Sequence, residues 1–334
     1  MKPSIQRRPS LAHINAAVAA LCLAPRTEQP GVIAEINAAI QTENNFSEAL
    51  TTFSTGFRDT ADLDAELLFL APPVQVTERF EYAQANNKQA FDLDTDDARA
   101  AGSDFKQVEF TSEKVQAKTT NRGLQIVMEA KAYNAPGKAE AVVASLLRRI
   151  KRNALYRAAA LISAAAVNAA KTWDTTAGKD PDMDVIAALV TAANKSGLKG
   201  NRVAFGDTAW SKRLLAHRAQ NTAGGIASAG LKPEQVAGIL GVEKVLHSNA
   251  RFTSGAETKA EILANLVLMF FAQDFATEDD PSNVKGFWSP CDLSGERYAV
   301  YEWNIGSKLV GVAVEHNELT AITSNLGIAK LTIS

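Results

Sequence analysis

Three aspartates at alternate positions, Asp180, Asp182 and Asp184 in GKDPDMDVIAAL, form one of two dense sets of oxygen ligands in the sequence. Carboxylates at the first, third and fifth positions of a loop suit calcium, but such a loop also needs Gly at its sixth position and Glu at its twelfth. Counted from Asp180, those positions hold Val185 and Thr191. The competing reading is electrostatic, because the unpaired N–H groups and positive dipole end of a helix start collect acidic side chains. On that reading Asp184 is the N-cap, VIAALVTAANKSG is the helix and Gly197 closes it. Removing all three carboxylates is then expected to cost only cap-sized stability, about 0.5–2 kcal/mol each.

The second acidic set, Asp92, Asp94, Asp96 and Asp97, is read as a solvated loop tip before a divalent-cation site. Lys88 near the same tip has the chemistry for an isopeptide bond, which requires desolvation and an acceptor side chain, and no acceptor is visible. The four histidines, His13, His217, His247 and His316, are scattered. His316 and Glu318 share a face of an expected strand and offer two metal ligands, although polar residues at a hairpin turn give the same pattern. Cys22 and Cys291 form no CxxC spacing, and Cys291 after Pro290 is expected in a packed turn. GxGxxG, GxxxxGK[ST], GxSxG and HExxH are all missing from the sequence. No catalytic residue, cofactor or metal is therefore expected, and no enzymatic activity.

Composition narrows the classes further. The 334 residues are 46% hydrophobic and 22% charged, enough for two or three structural units. Lys plus Arg at 35 against Asp plus Glu at 37 gives a net charge of −2, without the basic stripe of a tight nucleic-acid binder. Lys2, Arg7 and Arg8 precede LAHINAAVAALCLA, but His13 and Asn15 interrupt that run and Leu21 is too large for a lipoprotein cleavage site, so export is not expected. RAAALISAAAVNAA contains Arg157, Ser163 and Asn168 and is not a membrane span.

The elements that must position these residues follow from periodicity. Residues 1 to about 70 are Ala-rich and weakly periodic, an arm with short helical pieces and no core of its own. VQVTERFEYA alternates as a strand does, and QVEFTSEKVQAKTTNRGLQIVMEA returns as strand after a long polar connection. That connection predicts a projecting hairpin. A helix is expected from about Lys138 to Trp173, with a stripe at Val143, Leu146, Leu147, Ile150, Ala154, Leu161 and Ala165. An α/β stretch follows: a helix from Asp184, strand RVAF, a helix capped by Asp207 that carries Trp210, an Ala/Gly loop over 219–231, helix PEQVAGIL and strand VEKVLHS. The last third is rich in strands.

This order, with AELLFLAPPVQVTERFEYA, NRGLQIVMEAKAYNAP, the KTWDTTAG…AWSKRLLAH stretch and the closing GERYAVYEWNIGSKLVGVAVEHNELTAITSNLGIAKLTIS, resembles the major capsid proteins of tailed bacteriophages over about residues 60 to 334. The resemblance implies an α+β chain with the Hong Kong 97 fold. Its implied parts are an N-terminal arm (1–70), an E-loop with flanking strands (71–130), a spine helix in the peripheral P-domain (131–180), an axial A-domain (181–295), and a P-domain hairpin with closing A-domain strands (296–334).

It further implies a virion shell protein, assembled in the bacterial cytoplasm as pentamers and hexamers around double-stranded DNA that it contacts weakly. Scaffold, portal and decoration proteins are possible partners, and no membrane is. The E-loop interface would comprise Arg79, Phe80, Tyr82, Lys88, Phe91, Asp92, Asp94, Asp96 and Asp97. Phe80, Tyr82 and Phe91 would pack on a neighbouring copy, and the acidic tip would meet Arg148, Arg149 or Arg152 on its spine helix. Gly224, Gly225 and Gly230 would let the 219–231 loop fit both ring sizes at the capsomer centre. An encapsulin-like nanocompartment shell and, more distantly, a metal-dependent α/β enzyme using the three aspartates are the alternatives.

Overall fold

The computed structural model describes residues 45–58, 63–84, 113–176, 178–255, 257–274 and 280–334. Its helices are α1 (Glu48–Gly56), α2 (Leu63–Leu70), α3 (Ala130–Tyr133), α4 (Lys138–Ala165), α5 (Pro181–Ser196), α6 (Asp207–Ala219), α7 (Ala223–Ala229) and α8 (Pro233–Leu240). The first strands are β1 (Pro73–Gln75), β2 (Arg79–Gln84), β3 (Glu113–Lys118), β4 (Thr120–Glu129), β5 (Val167–Lys171), β6 (Arg202–Gly206) and β7 (Lys244–Ser248). Then come β8 (Arg251–Thr253), β9 (Lys259–Glu261), β10 (Leu266–Phe270), β11 (Val284–Ser289), β12 (Tyr298–Ile305), β13 (Leu309–Ile322) and β14 (Ala329–Ile333).

The chain divides into two compact units. The first comprises Met1–Arg58, Thr120–Ile150 and Ser289–Asn317. Its sheet is built on the antiparallel β12–β13 hairpin, with β4 paired to β13. Val300, Val310, Val312 and Val314 on this sheet face Val143, Leu146, Leu147 and Ile150 of α4, and Leu50 of α1 joins them. Spacing of three, four and seven residues along α4 puts those four on one face, which is why this half of the helix is amphipathic.

The second unit comprises Asp59–Thr119, Lys151–Trp288 and Glu318–Ser334. Its sheet runs β5-β14-β10-β6-β7, with β10 antiparallel to both neighbours and the outer pairs parallel. Helices cover both faces, so the central strands read as continuous apolar runs rather than alternating ones. Ala204, Leu268 and Phe270 point to a cluster with Leu63, Leu67 and Leu70 of α2 and Leu155, Ala158 and Ile162 of α4. Val203, Phe205, Val267 and Met269 point the other way, to Val185 and Leu189 of α5, Trp210 of α6 and Val236 and Leu240 of α8.

Several elements differ from the sequence reading. The long helix ends at Ala165, about 42 Å at 1.5 Å per residue, because Val167–Lys171 pairs in parallel with β14 instead. Helix propensity in an Ala-rich run is worth only tenths of a kcal/mol per residue, and ladder bonds with burial of Trp173 outweigh it. VQVTERFEYA is two strands, not one, and the returning strand likewise breaks at Thr119, whose N–H bonds the Glu78 carbonyl at 2.9 Å. The helical pieces α1 and α2 pack into the two cores, so this part of the arm is not free of them. The Ala/Gly loop contains a short helix, α7.

Candidate assembly surfaces

Each of the three aspartates has a separate task. The N-cap is Asp180 rather than Asp184, its Oδ1 accepting from the Asp182 and Met183 N–H groups at 3.1 and 3.2 Å. Pro181 supplies the first helical position, where a missing N–H costs nothing. Asp182 faces inward and takes two bonds from Arg213, Nε to Oδ1 at 2.7 Å and Nη2 to Oδ2 at 2.8 Å. His217 Nε2 lies 3.2 Å from the same Oδ2. Burial pushes the Asp182 carboxyl up, but the hydrogen bond from His217 and the Arg213 guanidinium outweigh it and hold it at about 2. Asp184 accepts from Lys171 Nζ at 2.8 Å and from the Trp173 indole at 2.9 Å. Cap-sized costs therefore describe Asp180 alone. Among the described residues no group of three or more His, Cys, Asp or Glu side chains is placed to hold a metal.

Arg213 also lies over the Trp210 ring, 5.0 Å from its centroid, and Trp210 stacks on His247 at 5.1 Å. Asp207 is the first residue of α6 rather than its cap, and it bonds His247 and Arg251. Burial raises its carboxyl, but His247 and Arg251 bring it below the usual range. The capping task falls to Glu261 of β9, which accepts from the Thr208 N–H and hydroxyl at 3.0 Å each. Sequence spacing carries no signal for Glu261, because it lies 53 residues from Thr208.

The expected hairpin has its base in β2 and β3, paired in register from Arg79↔Lys118 to Gln84↔Glu113. Phe80, Tyr82, Val115 and Ala117 share one half-buried face, while Arg79 and Glu81 are exposed. Phe80 and Tyr82 both pack on Phe287 of the same chain, with ring centroids 4.7 and 5.3 Å away. One side of each ring is thus used within the subunit, and only the other is left for a neighbour. Glu81 accepts from Gln116 across the strands at 2.9 Å, and Lys118 pairs with Glu78 at 2.9 Å. Lys88, Phe91, Asp92, Asp94, Asp96 and Asp97 lie outside the described residues, as do His13 and Cys22.

On the spine side, Arg149 is exposed, Arg152 is half-buried, and Arg148 lies 5.5 Å from the centroid of Phe57. In the 219–231 segment the Thr222 hydroxyl caps α7 by accepting from the Gly225 N–H at 3.0 Å. None of Gly224, Gly225 and Gly230 has positive φ. A Cβ on Gly225 would come 2.5 Å from the His217 carbonyl oxygen, whereas one on Gly224 would meet nothing within 4 Å. Close helix packing gives Gly225 a reason of its own. Ile226 on the same helix is 60% exposed. His316 and Glu318 are both buried, and Glu318 pairs with Arg157 at 3.1 Å, as a structural carboxylate would. Cys291 is buried, its thiol pushed up to about 12 by burial and then by Glu315.

No protein-family model matches the sequence, and no curated protein does. Solved structures do match. A phage-related protein from Bordetella bronchiseptica is 19% identical, with a TM-score of 0.60, and the match covers 86% of this chain and 96% of that one. The capsid structure of the cyanophage P-SCSP1u is 11% identical, with a TM-score of 0.53 and coverage of 83% and 89%. The chain has the Hong Kong 97 capsid fold. The three aspartates sit where α5 begins, and they hold that helix start in place.

Proposed function

We propose that the chain is the major capsid (head) protein of a tailed phage or prophage, self-assembling into an icosahedral shell around double-stranded DNA. What supports the reading most is the capsid fold joined to a hairpin base, β2–β3, between whose strands lie 28 further residues, 85–112. That segment carries six acidic and three basic residues and few apolar ones, so it gains little from its own subunit. Its place is on a neighbouring copy, as a clasp. The acidic tip, Asp92 to Asp97, meets Arg149 and its neighbours on the adjoining spine helix, and the open sides of Phe80 and Tyr82 supply apolar contact. Such rim charges fix register more than affinity. Head-to-tail contacts of this kind close into rings, here pentamers and hexamers with the 219–231 segment toward the centre. A near-neutral subunit fits a wall that touches DNA only weakly. The role requires positioning rather than catalysis. Scaffold, portal and decoration proteins are the further partners such a head would use, with assembly in the host cytoplasm.

Deletion of residues 86–104, closed by a short Gly-Ser link, tests the clasp, since loop closure depends only weakly on length. The expected product is a folded subunit by circular dichroism that no longer sediments as shells. Shells of normal size from the deletion overturn the clasp. Negative-stain microscopy of the intact chain tests the wider reading: closed particles protecting nuclease-resistant DNA support it, and particles filled with a protein cargo instead contradict the head assignment.

A further inference from the structure

An open groove of about 530 Å³ in the first unit takes no part in the contacts above. Phe46 and Leu293 give its lining apolar surface, Thr52 and Thr55 line it too, and so do Glu48 and Glu296. Its volume is in the range that holds small ligands or a few side chains. Glu48 lies in the first turn of α1, where the helix dipole favours it. Glu296, in the loop before β12, has no such reason to be there. Both are exposed, and among the described residues neither has an ion-pair partner. A lining that joins apolar residues to two exposed carboxylates fits a basic side chain, whose aliphatic stem lies on the apolar residues while its charged head meets the oxygens.

The chain itself carries the matching segment. Residues 1–27 hold Lys2, Arg7, Arg8 and Arg26 and not one Asp or Glu. The described structure begins at Asn45, and the next residue, Phe46, is part of the groove. Nineteen residues, 27–45, lie between Arg26 and Phe46, a tether of twenty Cα–Cα steps that spans up to about 66 Å when extended, far more than the groove requires. A tether of this length also keeps its end at roughly millimolar effective concentration, which favours the subunit's own arm over a free copy.

We propose that the basic N-terminal segment, residues 1–26, docks in this groove on its own subunit, with arginine or lysine heads between Glu48 and Glu296. The inference stands on the groove and the charge pattern and does not depend on the capsid assignment. To test it, a photo-crosslinking benzoyl-phenylalanine replaces Thr52 in the full chain, and products are mapped by mass spectrometry after irradiation. The expected crosslinks fall within residues 1–26. They drop about five- to tenfold in Glu48→Gln with Glu296→Gln, the size expected for two exposed ion pairs. Glu48→Lys with Glu296→Lys abolishes them, and adding Arg7→Glu with Arg8→Glu brings them back. In a mixture of isotopically light and heavy chains, each crosslink joins peptides of one label. Crosslinks to any other segment, insensitivity to the Glu48 and Glu296 charges, or light–heavy products overturn the proposal.

Discussion

Asp182→Ala should destabilise the second unit far more than removal of either neighbouring aspartate. Arg213 is 0% exposed and donates both of its strong bonds to this one carboxylate. Breaking a buried pair by deleting one partner costs about 3–5 kcal/mol, because the remaining charge is left without compensation. Asp180→Ala removes a cap, about 1 kcal/mol. Asp184→Ala leaves the buried Trp173 indole N–H without its acceptor, about 1–3 kcal/mol. The Asp182 carboxyl also sets a pH dependence. Its value falls on folding from the ordinary 3.8 to about 2, so it adds about 2 kcal/mol of stability. That stability is fully present above pH 4 and is lost as pH falls toward 2. Urea unfolding of the three single variants at neutral pH, followed by tryptophan fluorescence, measures the order directly, because Trp173 and Trp210 both lie in this unit's core. The pairing of Asp182→Leu with Arg213→Met should recover most of the loss, since matched apolar groups need no charge compensation. An Asp182→Ala variant no less stable than Asp180→Ala would refute the reasoning.

Gly225→Ala should cost about 1–3 kcal/mol, because its Cβ would lie 2.5 Å from the His217 carbonyl oxygen, whereas Gly224→Ala should be neutral or gain up to about 1 kcal/mol; thermal denaturation of the two variants separates them. In a Cys22→Ser background Cys291 should not react with a thiol reagent at pH 8 until the chain unfolds, since the buried thiol is pushed up to about 12, and reaction at the rate of a free thiol contradicts its placement. Phe287→Ala should speed hydrogen exchange throughout β2 and β3, because Phe80 and Tyr82 lose the ring they pack on; unchanged protection would mean that the hairpin base is held by its ladder alone.

Much of the fold was legible because period and punctuation agreed. Pro181 and Gly197, or Pro233 and Gly241, bracket helices whose apolar spacing is helical, and both glycines take the left-handed conformation that ends a helix. The failures came where a distant partner decided. VNAAK looks like the tail of a helix until β14, more than 150 residues later, pairs with it. Asp182 and Asp184 look like equal members of an acidic helix start, yet one points at Arg213 and the other at Trp173, a difference set by helix phase and by residues remote in sequence. Phe287 gave no signal as the ring that seats the hairpin, because it lies 205 residues beyond Tyr82. At Gly225 the missing side chain makes room for the His217 carbonyl, a close approach that no spacing in the 219–231 segment signals.

The place of β14 in its sheet has a consequence for synthesis. It is the last strand in chain order, yet it lies between β5 and β10, and Ser334 beyond it exchanges backbone bonds with Lys171 and Trp173. Until residues 329–334 have left the ribosome, β5 has no partner among the described strands, and β10 has one unpaired edge. A nascent or prematurely terminated chain would carry two bare strand edges, the kind of surface that pairs with other chains. The subunit thus becomes safe to accumulate only when translation of this strand is complete, which couples quality control of the message to the solubility of the product.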